Sequence, residues 1–185
     1  MVTIASLWLP IILSAIVVFL ASSLLHMVLK YHNSDFAKLP NEDAVADALR
    51  SAPVGDYMIP YASGPAERKV PAFKEKMSRG PIVMMTVLGT DMQKMFTKSL
   101  TLWFVYALIV SIFAAYIGGR AVGPGTEYLT VFRFVGTTAF LGYALALAQG
   151  SIWWGRKWST TMKSMFDGLV YALLTAGVFG WLWPR

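Results

Sequence analysis

Apolar residues dominate four long stretches of the chain, and a polar segment of mixed pattern separates the first from the second. The stretches run from about Ile4 to Leu29, Leu100 to Gly118, Thr130 to Ile152 and Met165 to Trp183. A helix rises about 1.5 Å per residue, so roughly 20 apolar residues cross about 30 Å of hydrocarbon. Each stretch meets or approaches that length, and the pattern predicts an all-α integral membrane protein with four spans. The first stretch has no basic leading region and too long an apolar run for a cleavable signal, so it reads as a signal-anchor helix. Pro10 lies near its start, where a lost backbone donor costs least. The resulting division is a transmembrane helix over 1–29, a polar loop over 30–99 and a three-span bundle over 100–185.

The polar loop carries local signals of its own. Asn41 reads as an N-cap, with Glu42 and Asp43 in the first turn, where the helix dipole favours acids. Ala44, Val45, Ala48 and Leu49 give this helix one apolar face, and it ends near Arg50, ahead of Pro53. Pro53, Pro60, Pro65 and Pro71, with Gly55 and Gly64, predict an extended linker. A second short helix covers Ala72 to Arg79 and stops at Gly80 and Pro81. Pro81 to Gly89 is apolar but too short to cross, which predicts a membrane-surface segment or one packed beneath the bundle. From Thr90 a helix runs into the second span without a break.

Small residues recur every fourth position in three spans. The second offers Ala107, Ser111, Ala115 and Gly119; the third Thr138, Gly142, Ala146 and Gly150; the fourth Gly168, Ala172, Ala176 and Gly180. A spacing of four puts each set on one stripe, where backbones can approach closely. These stripes predict helix-packing faces, and the first span, which lacks one, is expected at the periphery or against a partner.

Composition sharpens this picture. Of 185 residues 56% are hydrophobic, and 16 Lys and Arg stand against 10 Asp and Glu. Soluble domains average about 45–50% apolar and about 25% charged. A disordered chain, a nucleic-acid tail and most soluble enzymes of this length are excluded. Eighteen of the charges fall between Lys30 and Lys98, so the deficit belongs to the spans. The excess of Lys and Arg flanks the first and third loops (Lys30, Lys38, Lys94, Lys98; Arg156, Lys157, Lys163), which predicts both loops in the cytoplasm and both termini outside. That orientation corresponds to an inner-membrane protein, with Trp8, Tyr116, Tyr128, Trp181 and Trp183 lining the outer interface. Tyr31, Trp153, Trp154 and Trp158 would line the inner one.

Candidate chemistry is sparse. The chain has no cysteine, so thiolate metal sites, cysteine nucleophiles and disulfides are excluded. His26 and His32 lie at the inner end of the first span. A haem or metal site, with His32 and Asp35 at i, i+3 as part of it, is the lesser alternative. Six residues apart on one helix the two histidines point well over 90° from each other, so they read as interfacial anchors, and no metal site or cofactor is expected. Met84, Met85, Met92 and Met95 read as packing residues. Asp167 and Arg133 sit near span ends, within reach of headgroups, and Asp167 is expected to pair with Lys163 one turn earlier. The third loop interleaves Trp153, Trp154 and Trp158 with Arg156, Lys157 and Lys163, a pattern suited to anionic lipid headgroups.

The layout resembles that of small four-span bacterial membrane proteins of unknown function, in which a lone N-terminal span and a polar segment precede a three-span bundle. The resemblance rests on that layout, the Trp153-Trp154-Gly155-Arg156 loop and Asp167-Gly168 before the last span; it implies no active site. No catalytic set or phosphate loop is present in the sequence. The expectation is a non-enzymatic accessory or scaffold component that contacts membrane lipid and a protein partner through residues 30–99, with no nucleic acid. The alternative is a small transporter or channel subunit working as an oligomer, whose mid-bilayer polar groups would be Ser111, Thr137, Thr138, Gln149 and Thr175 and whose flux would depend on Gln149 or Arg133.

Overall fold

Each apolar stretch forms a helix long enough to span a membrane: Ala5–Val28, Met92–Ala121, Tyr128–Trp154 and Trp158–Trp181, in a computed structural model that describes all 185 residues. The architecture is that of a helical, multi-pass membrane protein. A 3-10 turn (Ala5–Leu7) leads into α1 (Trp8–Ser23), which ends in a π-helical turn (Leu24–Val28) and a 3-10 turn (Lys30–Ser34). Next come α2 (Glu42–Leu49), β1 (Gly55–Ile59), α3 (Pro65–Arg68), α4 (Pro71–Arg79) and β2 (Val83–Val87). The remaining spans are α5 (Met92–Ala121), α6 (Tyr128–Tyr143) continued by α7 (Ala148–Trp154), and α8 (Trp158–Trp181). The chain divides into two units, Met1–Ala37 with Phe96–Arg185, and Lys38–Met95.

In the first unit the small-residue stripes of the second and fourth spans lie on packed faces. Ala107, Ser111, Ala115 and Gly119 are buried, as are Gly168, Ala172 and Ala176, with Gly180 half-buried. A Cβ on Gly168 would lie 2.8 Å from the Tyr143 carbonyl oxygen and 2.8 Å from Ala144 Cβ. One on Gly180 would lie 2.7 Å from the Tyr128 ring. These glycines let backbone and rings approach where any side chain would collide.

The third span differs from expectation. Its buried stripe is Val131, Val135, Ala139 and Tyr143, while Thr138, Gly142 and Gly150 are half-buried and Ala146 is exposed. The helix breaks at Ala144 (φ −123°, ψ −55°), so the rows of α6 do not continue into Ala146 and Gly150. Gly142 still makes a close approach, with its Cβ direction 3.1 Å from the Val110 methyls.

The first span is not peripheral. Leu7, Ile11, Ser14, Val18, Ser22 and Leu25 are buried along one face, at spacings of three and four that suit a helix seam. Leu7 and Ile11 join one apolar cluster with Ala114, Val131, Val135 and Phe179; Ala15 and Val18 join a second with Ala107, Ala139, Tyr143 and Tyr171. Ser14 and Ser111 hydroxyls share a hydrogen bond of 2.9 Å, and Trp103 Nε1–H donates to Ser22 Oγ at 2.8 Å. Searching only for small residues every fourth position missed a seam that mixes Ser with Leu, Ile and Val.

Both termini meet the second loop at one end of the bundle. Val2 N–H donates to the Gly119 carbonyl (3.0 Å) and Gly125 N–H to the Pro184 carbonyl (2.9 Å). Trp183, expected at a membrane interface, is instead buried and donates Nε1–H to the Gly123 carbonyl at 2.9 Å. The opening of the first loop, Tyr31 to Asp35, lies at the other end, beside Lys163 in the first turns of α8.

In the second unit, α2 begins with Glu42 and Asp43 as expected, but Asn41 precedes it in a left-handed conformation and makes no side-chain cap. The stretch expected as linker supplies β1, which pairs antiparallel with β2 from Gly55 opposite Val87 to Ile59 opposite Val83. Pro81 to Gly89, expected as a membrane-surface segment, thus contains a sheet strand. Tyr57, Ile59, Val83, Thr86 and Val87 are good strand formers, but paired residues lie 24 to 32 positions apart, outside any local window.

Gly168→Ala is expected to lower bundle stability by about 1–3 kcal/mol through overpacking, whereas Gly89→Ala, with nothing within 4 Å of its Cβ direction, leaves it unchanged. Thermal unfolding of the two variants in detergent compares them directly.

Candidate functional site

The polar groups of the bundle gather at the end shared by the first and third loops. The α-helix of the first span loosens into its π turn, and Leu29 then leaves helical geometry (φ −85°, ψ 117°) before the Lys30–Ser34 turn. This reversal folds His32 back over His26, with ring centroids 4.5 Å apart and planes within 9°. The divergence of the two histidines expected from their spacing assumed one continuous helix, and the break at Leu29 removes that premise.

Opposite them stands Asp167 on α8, only 3% exposed. His32 Nε2 lies 2.8 Å from Asp167 Oδ2, and His26 Nε2 lies 3.8 Å from the same oxygen. Tyr31 donates its hydroxyl proton to Asp167 Oδ1. Asp167 therefore does not snorkel to headgroups. A buried carboxylate is tolerable only when its oxygens are matched by donors, and the loop-one turn supplies them.

Lys163 does not pair with Asp167. Its ammonium donates to the Tyr31 carbonyl (2.6 Å), Ser34 Oγ (2.8 Å) and Asp35 Oδ1 (2.8 Å). The turn offers the ammonium three acceptors, while Asp167 is already filled by Tyr31 and His32. Asp35 Oδ2 in turn lies 2.7 Å from His32 Nδ1. Hydrogen bonds from Lys163 and His32 hold the Asp35 carboxyl below its usual range, so it is ionised at neutral pH and accepts. Burial, reinforced by the hydrogen bond to Asp167, pushes the Tyr31 hydroxyl above its usual range, so it stays protonated and donates. Lys163, Asp35, His32, Asp167 and Tyr31 form one connected network that ties the first loop to α8.

Beside this network lies an open cleft of about 630 Å³, walled by Trp103, Tyr106, Tyr143, Tyr171, Leu100 and Leu147, with His26, Ser164 and Asp167 among its polar members. Trp103, Tyr106 and Tyr143 each donate their polar hydrogen to a protein acceptor. The Tyr171 hydroxyl is buried without a partner.

Of the third-loop residues, Trp153, Trp154 and Trp158 are exposed, as are Arg156 and Lys157. Gly155 turns the chain there at φ +65°, a conformation that side chains rarely adopt. Arg156 Nη2 donates to Ser164 Oγ at 3.4 Å, so its guanidinium stands beside the cleft wall, while Lys163 points into the network. Met84 and Met85 are neighbours in β2 and therefore face opposite sides of the sheet. No protein-family model, curated protein or solved structure matches the chain.

The sequence named every member of this network except Tyr31's role, yet not their meeting. The one available signal was the Tyr31-His32-Asn33-Ser34 run, all residues of middling helix propensity, at the point where the span ends.

Tyr31→Phe removes the donor to Asp167 Oδ1 and is expected to cost about 1.5–3 kcal/mol, as for a hydrogen bond to a charged group. Ser34→Ala removes only one exposed acceptor from Lys163 and is expected to cost less than half as much. Unfolding midpoints of the two variants, measured side by side, check the order.

Proposed function

We propose that this chain is a non-enzymatic accessory component of its membrane that binds an anionic lipid. The lipid's chain would occupy the aromatic cleft and its headgroup would meet Arg156 and Lys157. The observation that carries this reading is the Arg156–Ser164 contact: an exposed guanidinium is held against a residue that lines an apolar cleft. Cationic groups beside an apolar groove suit a molecule with a hydrocarbon body and an anionic head. Trp153, Trp154 and Trp158 would flank that head at the interface, where indole rings are favoured. Asp167 offers it little repulsion, because Tyr31 and His32 already engage its carboxylate.

Contact with a protein partner falls to the unit Lys38–Met95. Its two-stranded sheet leaves the outer edge of each strand unpaired, and an open edge can be extended by a strand from another chain. The basic residues of the first and third loops favour a cytoplasmic position for both, with the termini outside.

Gentle detergent purification of the full chain, followed by identification of bound lipid and protein, tests these assignments together. Phosphatidylglycerol is expected to be retained over phosphatidylcholine, and each of Arg156→Gln and Lys157→Gln to lower that retention about fivefold, as for about 1 kcal/mol per basic residue. Equal retention of the two lipids contradicts the lipid reading, and a chain that purifies with no partner contradicts the accessory one. Because the chain has no native cysteine, sidedness can be read with single introduced ones. Gly123→Cys should react with a membrane-impermeant reagent in whole cells and Lys157→Cys should not; the reverse pattern inverts the topology.

A further inference from the structure

The two histidines are oriented as ligands are. His26 Nδ1 lies 3.0 Å from the Ser22 carbonyl oxygen. A carbonyl can only accept, so Nδ1 carries the hydrogen, and in the neutral ring the lone pair is on Nε2. His32 Nδ1 faces Asp35 Oδ2 at 2.7 Å, and an ionised carboxylate likewise only accepts. Both rings thus have Nδ1 committed outward and Nε2 turned toward the same oxygen, Asp167 Oδ2. The three atoms lie within 4.8 Å of one another.

Two imidazole nitrogens and a carboxylate oxygen converging in this way are also the donor set of a metal site. Without an ion, His32 Nε2–H donates to Asp167 Oδ2 at 2.8 Å; a bound cation would take the place of that proton. Zinc binds nitrogen and oxygen at about 2.0–2.2 Å, so tetrahedral ligand atoms stand about 3.3 Å apart. The separations of 2.8 and 3.8 Å to Oδ2 lie on either side of that value.

The surroundings complete the pattern. Metal-bound histidines donate their other ring nitrogen to a carboxylate or backbone carbonyl, which fixes the tautomer and ring plane. Asp35 does this for His32 and the Ser22 carbonyl for His26. Tyr31 holds the second oxygen of Asp167, and Lys163 holds the second oxygen of Asp35. Every ligand has its non-ligating atom restrained.

We propose that His26 Nε2, His32 Nε2 and Asp167 Oδ2 form a three-ligand site for a divalent first-row transition ion, with zinc the best match to two imidazoles and one carboxylate. His26 and Asp167 also line the cleft, so the remaining coordination position opens toward it. The site stands independently of lipid binding, which Arg156 and Lys157 would govern.

The test uses the full chain in detergent, free of any histidine tag and stripped with EDTA, then titrated with Zn²⁺ and separately with Co²⁺. Uptake of one Zn²⁺ per chain with a dissociation constant of about 1 μM or below is expected, together with visible Co²⁺ bands of a low-coordinate nitrogen–oxygen site. His26→Gln and His32→Gln should abolish stoichiometric uptake, and Asp35→Asn should weaken it about 10–100-fold through the orientation of His32. His26 is half exposed (51%), so its variant is the one least exposed to misfolding, and helical circular dichroism checks each. Should a variant unfold, the wild-type Co²⁺ spectrum and a rise in melting temperature on adding Zn²⁺ still decide the matter. Absence of stoichiometric uptake by the wild type, or equal uptake by the folded His26→Gln protein, overturns the site. Retention of phosphatidylglycerol by His26→Gln would leave the lipid reading standing in either case.

Discussion

A carboxylate buried in an apolar bundle demands donors, and Asp167 imposes that demand on the end of this molecule where the first and third loops meet. Its two oxygens are engaged by Tyr31 and His32. Both come from the short turn that follows the first span. That turn can reach Asp167 only because the helix loosens and breaks at Leu29. Once docked, it presents acceptors to Lys163, so that the ammonium is drawn to Asp35 and away from Asp167. The geometry at this end follows from satisfying one buried charge.

The same constraint explains why the first span belongs to the bundle. Its seam of Leu7, Ile11, Ser14, Val18 and Ser22 packs along its length, while the Asp167 network fixes its last turn. Close glycine contacts hold the neighbouring spans: Gly168 against the Tyr143 backbone, and Gly119 against Val2. Where α8 comes close enough to touch backbone, the third span breaks, at Ala144. The cleft lies among these displaced elements, with the network on its border. The proposed lipid and metal sites are therefore neighbours with different residues, one governed by Arg156 and Lys157 and the other by the histidines.

Much of the fold was legible in the sequence. Hydrocarbon thickness sets span length, so four apolar runs gave four helices, and small residues every fourth position marked the faces of α5 and α8. What escaped reading depended on distant partners. The pairing of β1 with β2 needs two segments to find each other across the helices between them, and neither announces the other. The seam of the first span mixes residue sizes, so a rule seeking only small ones passed over it. The candidate site was half visible: His26, His32, Asp35, Lys163 and Asp167 were each noticed, but a regular helix was assumed through Leu29. A single break in backbone geometry converted two diverging histidines into a stacked pair.

The most direct measurement of this account is a double-mutant cycle on unfolding free energy, made in the presence of a chelator, with His32→Gln, Asp167→Asn and the two combined. If Asp167 anchors the loop-one turn, the pair should be coupled by about 0.5–3 kcal/mol, the range for residues sharing one network. If the two losses simply add, the carboxylate does not hold the turn, and the organisation described for this end of the bundle is wrong.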